Sequence, residues 1–160
     1  MNVNFSEKDV YEIINNHFIE ELKNSDSVIY WNNRILKSPK FEYTFAGNEE
    51  IPMFVETSEP FPIFTKEYWK IDKIRGVSII EWKEFNSYFI KNDLIDLENL
   101  WNLKYQNKYL HNVSYPIYNS ETKIAVIKDY IYKPFMNCGY ELKKIYSYEK
   151  TEIGWKKMTR

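Results

Sequence analysis

The chain is 160 residues long, carries a formal net charge of −1 and is 18% aromatic. That length suits one domain over residues 1–160, and a near-zero charge argues against a strongly basic nucleic-acid glove or an acidic tail. One cysteine, Cys138, and two histidines, His17 and His111, exclude a zinc site of paired Cys and His, so no metal or other cofactor is expected.

A domain of this size buries about 68–70% of its unfolded surface and needs no disulfide or metal to hold it. A lone thiol fits a reducing compartment. The opening residues Met-Asn-Val-Asn-Phe-Ser-Glu lack the basic region and apolar stretch of a signal peptide. No apolar run approaches the ~20 residues that span a bilayer. A cytoplasmic protein with no membrane span is the expectation. Charge is uneven along the chain: residues 1–60 are net acidic and residues 123–160 net basic. Either the two ends attract each other within one fold, or one of them faces a partner.

The first element is a helix over residues 5–24. Ser6 is placed as N-cap, with Asp9 returning its hydrogen bond as in a capping box, and Phe5 and Val10 can form a hydrophobic staple. Val10, Ile13, Ile14, Phe18 and Leu22 recur at helical spacing. His17 borders that stripe, where a histidine is normally packed or solvated rather than catalytic. Residues 27–31 are β-rich, Asn32 and Asn33 suit a turn, and Phe41, Tyr43 and Phe45 alternate as in a strand.

Gly47 and Asn48 break that alternation, and Pro52, Pro60 and Pro62 follow. The segment from Glu49 to Phe64 therefore reads as a long, exposed, irregular loop, acidic and aromatic, a type of loop uncommon without a purpose. Glu49, Glu50, Phe54, Glu56 and Glu59 are its candidate interaction residues. Further on, a short helical turn is expected over residues 65–70. A second helix is expected over 79–90, with Ser78 and Glu81 as capping box, and a third over 94–105, capped by Asp93.

After His111 the period changes to alternation, giving four strands over residues 112–118, 123–133, 140–150 and 155–159. In the third of them Tyr146 and Tyr148 share a ring-rich face with Lys144, while Lys143, Ile145, Ser147 and Glu149 share a mainly charged one. Such a sheet packs one face and wets the other. Trp155, just after Gly154, is placed to close the sheet onto a helix as a core residue. The fold class is thus α+β: an N-terminal helix, an irregular β-containing middle, two further helices and a C-terminal four-stranded antiparallel meander.

The last third carries Trp101, Tyr109, Ser114, Pro116, Ile117, Asn119, Ala125, Val126, Cys138, Gly139, Lys150 and Trp155. In this it resembles a family of small uncharacterised bacterial proteins and lipoproteins whose tails run through a Ser-x-Pro-Ile-x-Asn strand, a Cys-Gly loop and a Gly-Trp turn. The resemblance covers roughly residues 97–160 and its motifs are turns and strand cores. Many relatives hold a second Cys-Gly pair where Pro134, Phe135 and Met136 stand here. The resemblance implies no catalytic residue.

Constellations of chemistry are few. Cys138 lies in a loop before Gly139 and not at a helix N-terminus that would favour a thiolate, so it reads as a turn residue rather than a nucleophile paired with His17 or His111. Asp129 and Glu141 are flanked by Lys128 and Lys143 and read as a cross-strand charge ladder rather than an acid–base pair. No phosphate-cradling glycine motif is present. Lysines and tyrosines of the last strands could stack single-stranded nucleic acid, but they fall mostly on opposite faces, so no nucleic-acid partner is expected. These observations point to a non-enzymatic protein-interaction role with a basic partner, such as that of an immunity protein neutralising a toxin. The alternative is a small-ligand-binding domain with an aromatic cavity between helices and meander.

Overall fold

A computed structural model describes residues 5–24, 29–46, 49–55, 63–81, 94–105, 108–132 and 142–159, together with Lys83 and Ser87. Helix α1 (Glu7–Asn24) starts as its sequence requires. The Asp9 carboxylate accepts from the Ser6 backbone N–H at 2.9 Å and from its hydroxyl at 2.7 Å, and the Asp9 N–H donates to Ser6 Oγ at 3.4 Å. The capping box is therefore closed in both directions. Phe5, just ahead of it, stacks on Tyr118 at 4.9 Å and meets Trp155 edge-on at 5.7 Å.

Strands β1 (Tyr30–Asn32) and β2 (Arg34–Leu36) flank Asn33, and β3 (Lys40–Ala46) and β4 (Glu49–Val55) follow. Next come β5 (Phe64–Tyr68), a 3-10 turn (Ile71–Lys73), β6 (Ser78–Ile80) and helix α2 (Leu94–Tyr105). The last third holds β7 (Leu110–Val113), β8 (Ile117–Asn119), β9 (Ile124–Tyr132), β10 (Leu142–Thr151) and β11 (Gly154–Lys157). Seven strands make one mixed sheet in the order β11-β10-β9-β7-β1-β6, with β8 also on β9; β2 pairs β5 and β3 pairs β4 in two separate ribbons.

This overturns the expected α+β arrangement of three helices and a self-contained four-stranded meander. The architecture is mostly β, with two α-helices delimited among the described residues. The antiparallel hairpins β9–β10 and β10–β11 do form, but the sheet continues past them through β7 into β1, which pairs in parallel with both β7 and β6. The run expected as one strand over residues 112–118 is split: β7 and β8 lie end to end along β9, with Pro116 between them.

Two helical expectations are also corrected. Residues 64–68 are a strand antiparallel to β2. Ser78 is not a cap, because its N–H donates to Ile29 O at 2.8 Å in the parallel ladder; Lys83 and Ser87 are helical, and the other residues of 82–90 lie outside the described residues. Parallel pairing has no local turn to announce it, so β6 is legible only once β1 is in place.

Side chains alternate across the sheet and set two layers. Trp31, Val113, Ala125, Ile127, Tyr148 and Trp155 face α1 and form a core with Val10, Ile13, Ile14 and Phe18. On the reverse face, Ile80 and Leu110 pack with Trp101 of α2, joined by Tyr30 and Tyr105. Trp155 is a core residue, 4% exposed. Its approach to α1 depends on Gly154, whose φ is +125°: a Cβ there would stand 2.2 Å from Glu12 Oε1, the oxygen that accepts from the Trp155 N–H at 3.0 Å.

The acidic front and basic back of the chain do meet. Lys150 Nζ lies 2.7 Å from Asp9 and Lys157 Nζ 3.5 Å from Glu20, so the helix and the last strands draw each other in.

Candidate functional site

The segment singled out as a loop begins as a strand. Residues 49–55 pair with 46–40 one for one: Glu49 opposite Ala46, Glu50 opposite Phe45, Pro52 opposite Tyr43 and Phe54 opposite Phe41. The irregular-loop expectation is thereby corrected for this half. A two-stranded ribbon is all edge, and an edge strand admits a proline; Ile51, Phe54 and Val55 supply β-preferring residues around it. Glu56 and Glu59 lie outside the described residues, as do Cys138 and Glu141. Among the candidates, the ribbon thus gathers Glu49, Glu50 and Phe54.

A second constellation was not anticipated. Three buried titratable side chains meet under α1: His17 from the helix, His111 from β7 and Asp129 from β9. His17 Nε2 lies 2.9 Å and His111 Nδ1 2.8 Å from the same oxygen, Asp129 Oδ2, while Tyr148 OH of β10 lies 2.9 Å from His17 Nδ1. An ionised carboxylate only accepts, so both imidazole N–H groups donate to it. With the Tyr148 hydroxyl donating to Nδ1, His17 is satisfied at both nitrogens as its Nε2–H tautomer. Asp129 Oδ1 has no hydrogen-bond partner among the described residues.

Strand register explains the meeting. Residues 111, 113, 129 and 131 fall on one face, and Lys144, Tyr146 and Tyr148 continue it on β10. That face is the one α1 covers, so Asp129 points into the core rather than along a surface ladder. Its neighbours are rings: Tyr146 and Phe18 lie 4.6 and 5.2 Å from the His17 ring, and Phe18 also lies 5.8 Å from His111. His17 is packed, one of the two states its place beside the stripe allows, whereas the reading of Asp129 as part of a charge ladder is corrected. An available signal was an aspartate in the inward series Ala125, Ile127, Asp129, Ile131, matched by a histidine beside the apolar stripe of α1.

The electrostatics follow from burial and charge together. Burial works against the Asp129 carboxylate, but the charge and hydrogen bond of His111, then the hydrogen bond of His17, outweigh it and hold its pKa below the usual range. For His111, burial opposes the imidazolium, yet the Asp129 charge and hydrogen bond prevail and raise its pKa above 6.5. Burial, with Glu20, Glu21 and Asp129 adding repulsion, pushes the Tyr148 phenol far above its ordinary value, so it stays protonated. The arrangement can store a proton next to a buried carboxylate. Among the described residues, no group of three or more His, Cys, Asp or Glu is arranged to hold a metal ion. None of their helices is long and apolar enough to cross a membrane.

The rings between α1 and the sheet pack on one another: Phe18 on Trp31 at 4.5 Å, Trp31 on Trp69 at 5.3 Å and Tyr11 on Trp69 at 5.9 Å. Outside this layer, an open groove of about 830 Å³ runs between α1 and the 3-10 turn, lined by Tyr11, Asn15, Ile19, Lys73 and Arg75 among others. Comparisons with protein-family models, curated proteins and solved structures found no match to this chain.

Proposed function

We propose that the chain is a non-enzymatic protein-interaction protein that covers a basic partner, in the way an immunity protein neutralises a toxin. One observation carries the reading. The β3–β4 ribbon pairs over seven residues as a sheet of its own, and its two strands contain Glu42, Glu49 and Glu50 against a single Lys40. Phe41, Tyr43, Phe45 and Phe54 stand in the same ribbon. Aromatic side chains supply rigid contact area at interfaces, and a net acidic strand pair steers a basic surface.

The test is capture from a lysate, and association kinetics with whatever is captured. Reversing Glu49, Glu50, Glu56 and Glu59 to Lys should lower the association rate about tenfold or more at low salt, and less at high salt, because the charges act through screened attraction. A partner that binds the reversed chain as fast as the native one would remove the ribbon from the interface.

A small-ligand-binding role is the second reading, and the groove beside α1 is what favours it. Ligand pockets typically enclose about 300–1,000 Å³. A metabolite panel in a thermal-shift assay tests it: a ligand whose effect vanishes in Asn15→Ala would place binding there, and no shift with any compound would count against it.

A further inference from the structure

Helix α1 is held to the sheet by apolar side chains and by the buried row Tyr148, His17, Asp129, His111, which the interaction reading does not use. We propose that His17, His111 and Asp129 form a proton-operated latch, which seats α1 while it holds one imidazolium and lets the helix lift when that proton is lost. The row joins elements far apart in sequence: 112 residues separate His17 from Asp129, and 131 separate it from Tyr148. No turn or hairpin joins α1 to β7, β9 or β10, so the His17 bonds themselves tie the helix to the strands that carry Asp129 and Tyr148.

The charge balance selects His111 as the group that carries the proton. Asp129 is wholly buried, and one of its oxygens accepts both imidazole bonds. His17 has both nitrogens engaged, whereas the His111 side chain is 10% exposed and gives its proton a way out. The packed elements bring charged and titratable neighbours from three sides. Helix α1 brings Glu20 and Glu21, β10 brings Tyr146, Tyr148 and, cross-strand from Asp129, Lys144, and β11 brings Lys157, which sits over the Tyr146 ring and pairs with Glu20. From β1 the neighbour is the neutral Trp31, cross-strand from His111. Tyr146 and Tyr148 are kept protonated, by burial first and by the nearby carboxylates second. Lys144 is exposed, so its opposition is screened, and Glu21 with Asp129 favours the imidazolium.

The direction with pH follows. His111 has a raised pKa in the folded state, so its contribution is complete below 6.5 and is lost as pH rises through the folded value. Asp129 has a lowered pKa, so its contribution is present above 3.8 and is lost only as pH falls through the lowered value. The latch is closed below 6.5 and opens as pH rises through the higher folded value of His111. Opening uncovers the ring-rich sheet face that carries Trp31, Tyr148 and Trp155.

Hydrogen exchange of the full chain, followed residue by residue from about pH 5.5 to about pH 9, tests this. After correction for intrinsic rates, the opening equilibrium of α1 amides should grow about tenfold per pH unit across the His111 titration, with β9 and β10 amides changing less. In Asp129→Asn the pH dependence should flatten. Should that variant not fold, imidazole nitrogen NMR of the native chain decides the matter, with His111 expected to remain cationic above pH 6.5. A His111 that titrates at or below 6.5, α1 protection that stays level with pH, or equal loss across α1, β9 and β10 would each overturn the latch.

Discussion

Helix α1 is tied to the sheet at two carboxylates, and the two ties differ in what neutralises them. At the first turn, Asp9 accepts from Lys150 Nζ at 2.7 Å, from Trp155 Nε1 at 2.9 Å and from Ser6. Burial opposes its charge, but Lys150, Ser6 and Trp155 prevail and its pKa falls below the usual range. The Lys150 side chain is 39% exposed, so that tie stays charged far into alkaline pH and Lys150 can turn to water if its partner goes. Beneath the middle of the helix, Asp129 is wholly buried, and its hydrogen-bond partners among the described residues are the His17 and His111 imidazoles. Similar bonds therefore have different pH windows, because a lysine keeps its proton where a histidine releases one.

The largest effects should come from breaking either tie at its most buried member. Asp129→Ala leaves His17 and His111 buried without their acceptor and should cost about 3–5 kcal/mol in denaturant unfolding. Trp155→Ala, which empties the other end, should cost about 3–5 kcal/mol. A loss below about 1 kcal/mol in either would show that the helix is held elsewhere. Asp9→Ala should cost less, about 1–3 kcal/mol, for a lost cap and two charge-assisted bonds whose lysine can resolvate.

A pH series sharpens the contrast. Both carboxylates have lowered pKa values, so both contributions are present above 3.8 and lost as pH falls. Asp9→Asn should therefore weaken the acid limb of the stability profile and leave the alkaline limb, set by His111, in place; loss of the alkaline limb as well would merge the two ties into one. The smallest effect belongs to the ribbon. Reversing Glu49, Glu50, Glu56 and Glu59 to Lys should change stability by less than about 0.5 kcal/mol, and a larger change by calorimetry would mean that these glutamates are structural.

The contrast between α1 and the rest also explains what could be read from sequence. Ser6, Asp9 and the stripe from Val10 to Phe18 announce α1 because caps and helical periods are local signals, and the tyrosine-rich alternation of β10 is local in the same sense. Nothing near Ser78 says that it will pair with Tyr30, 48 positions away in a parallel register. Its Ser-x-x-Glu pattern favours a helix start, and the sheet overrides it. The burial of Asp129 is illegible in the sequence for a related reason. Lys128 beside it suggests a wet strand, whereas its burial is decided by which face of the β7–β9–β10 sheet α1 covers, a contact between segments far apart in the chain.

The distance along the chain between Asp9 and Trp155 has a consequence for synthesis. The two partners are 146 residues apart. At about 5–20 residues per second, roughly 7–30 s pass between the emergence of one and the other. Through that interval the capping box can form, since Ser6 is adjacent, but the apolar stripe of α1 has neither β10 nor β11 to cover it. Helix α1 is thus made well before it can be seated, and Ile13, Ile14 and Phe18 lack their cover until β10 and β11 have followed.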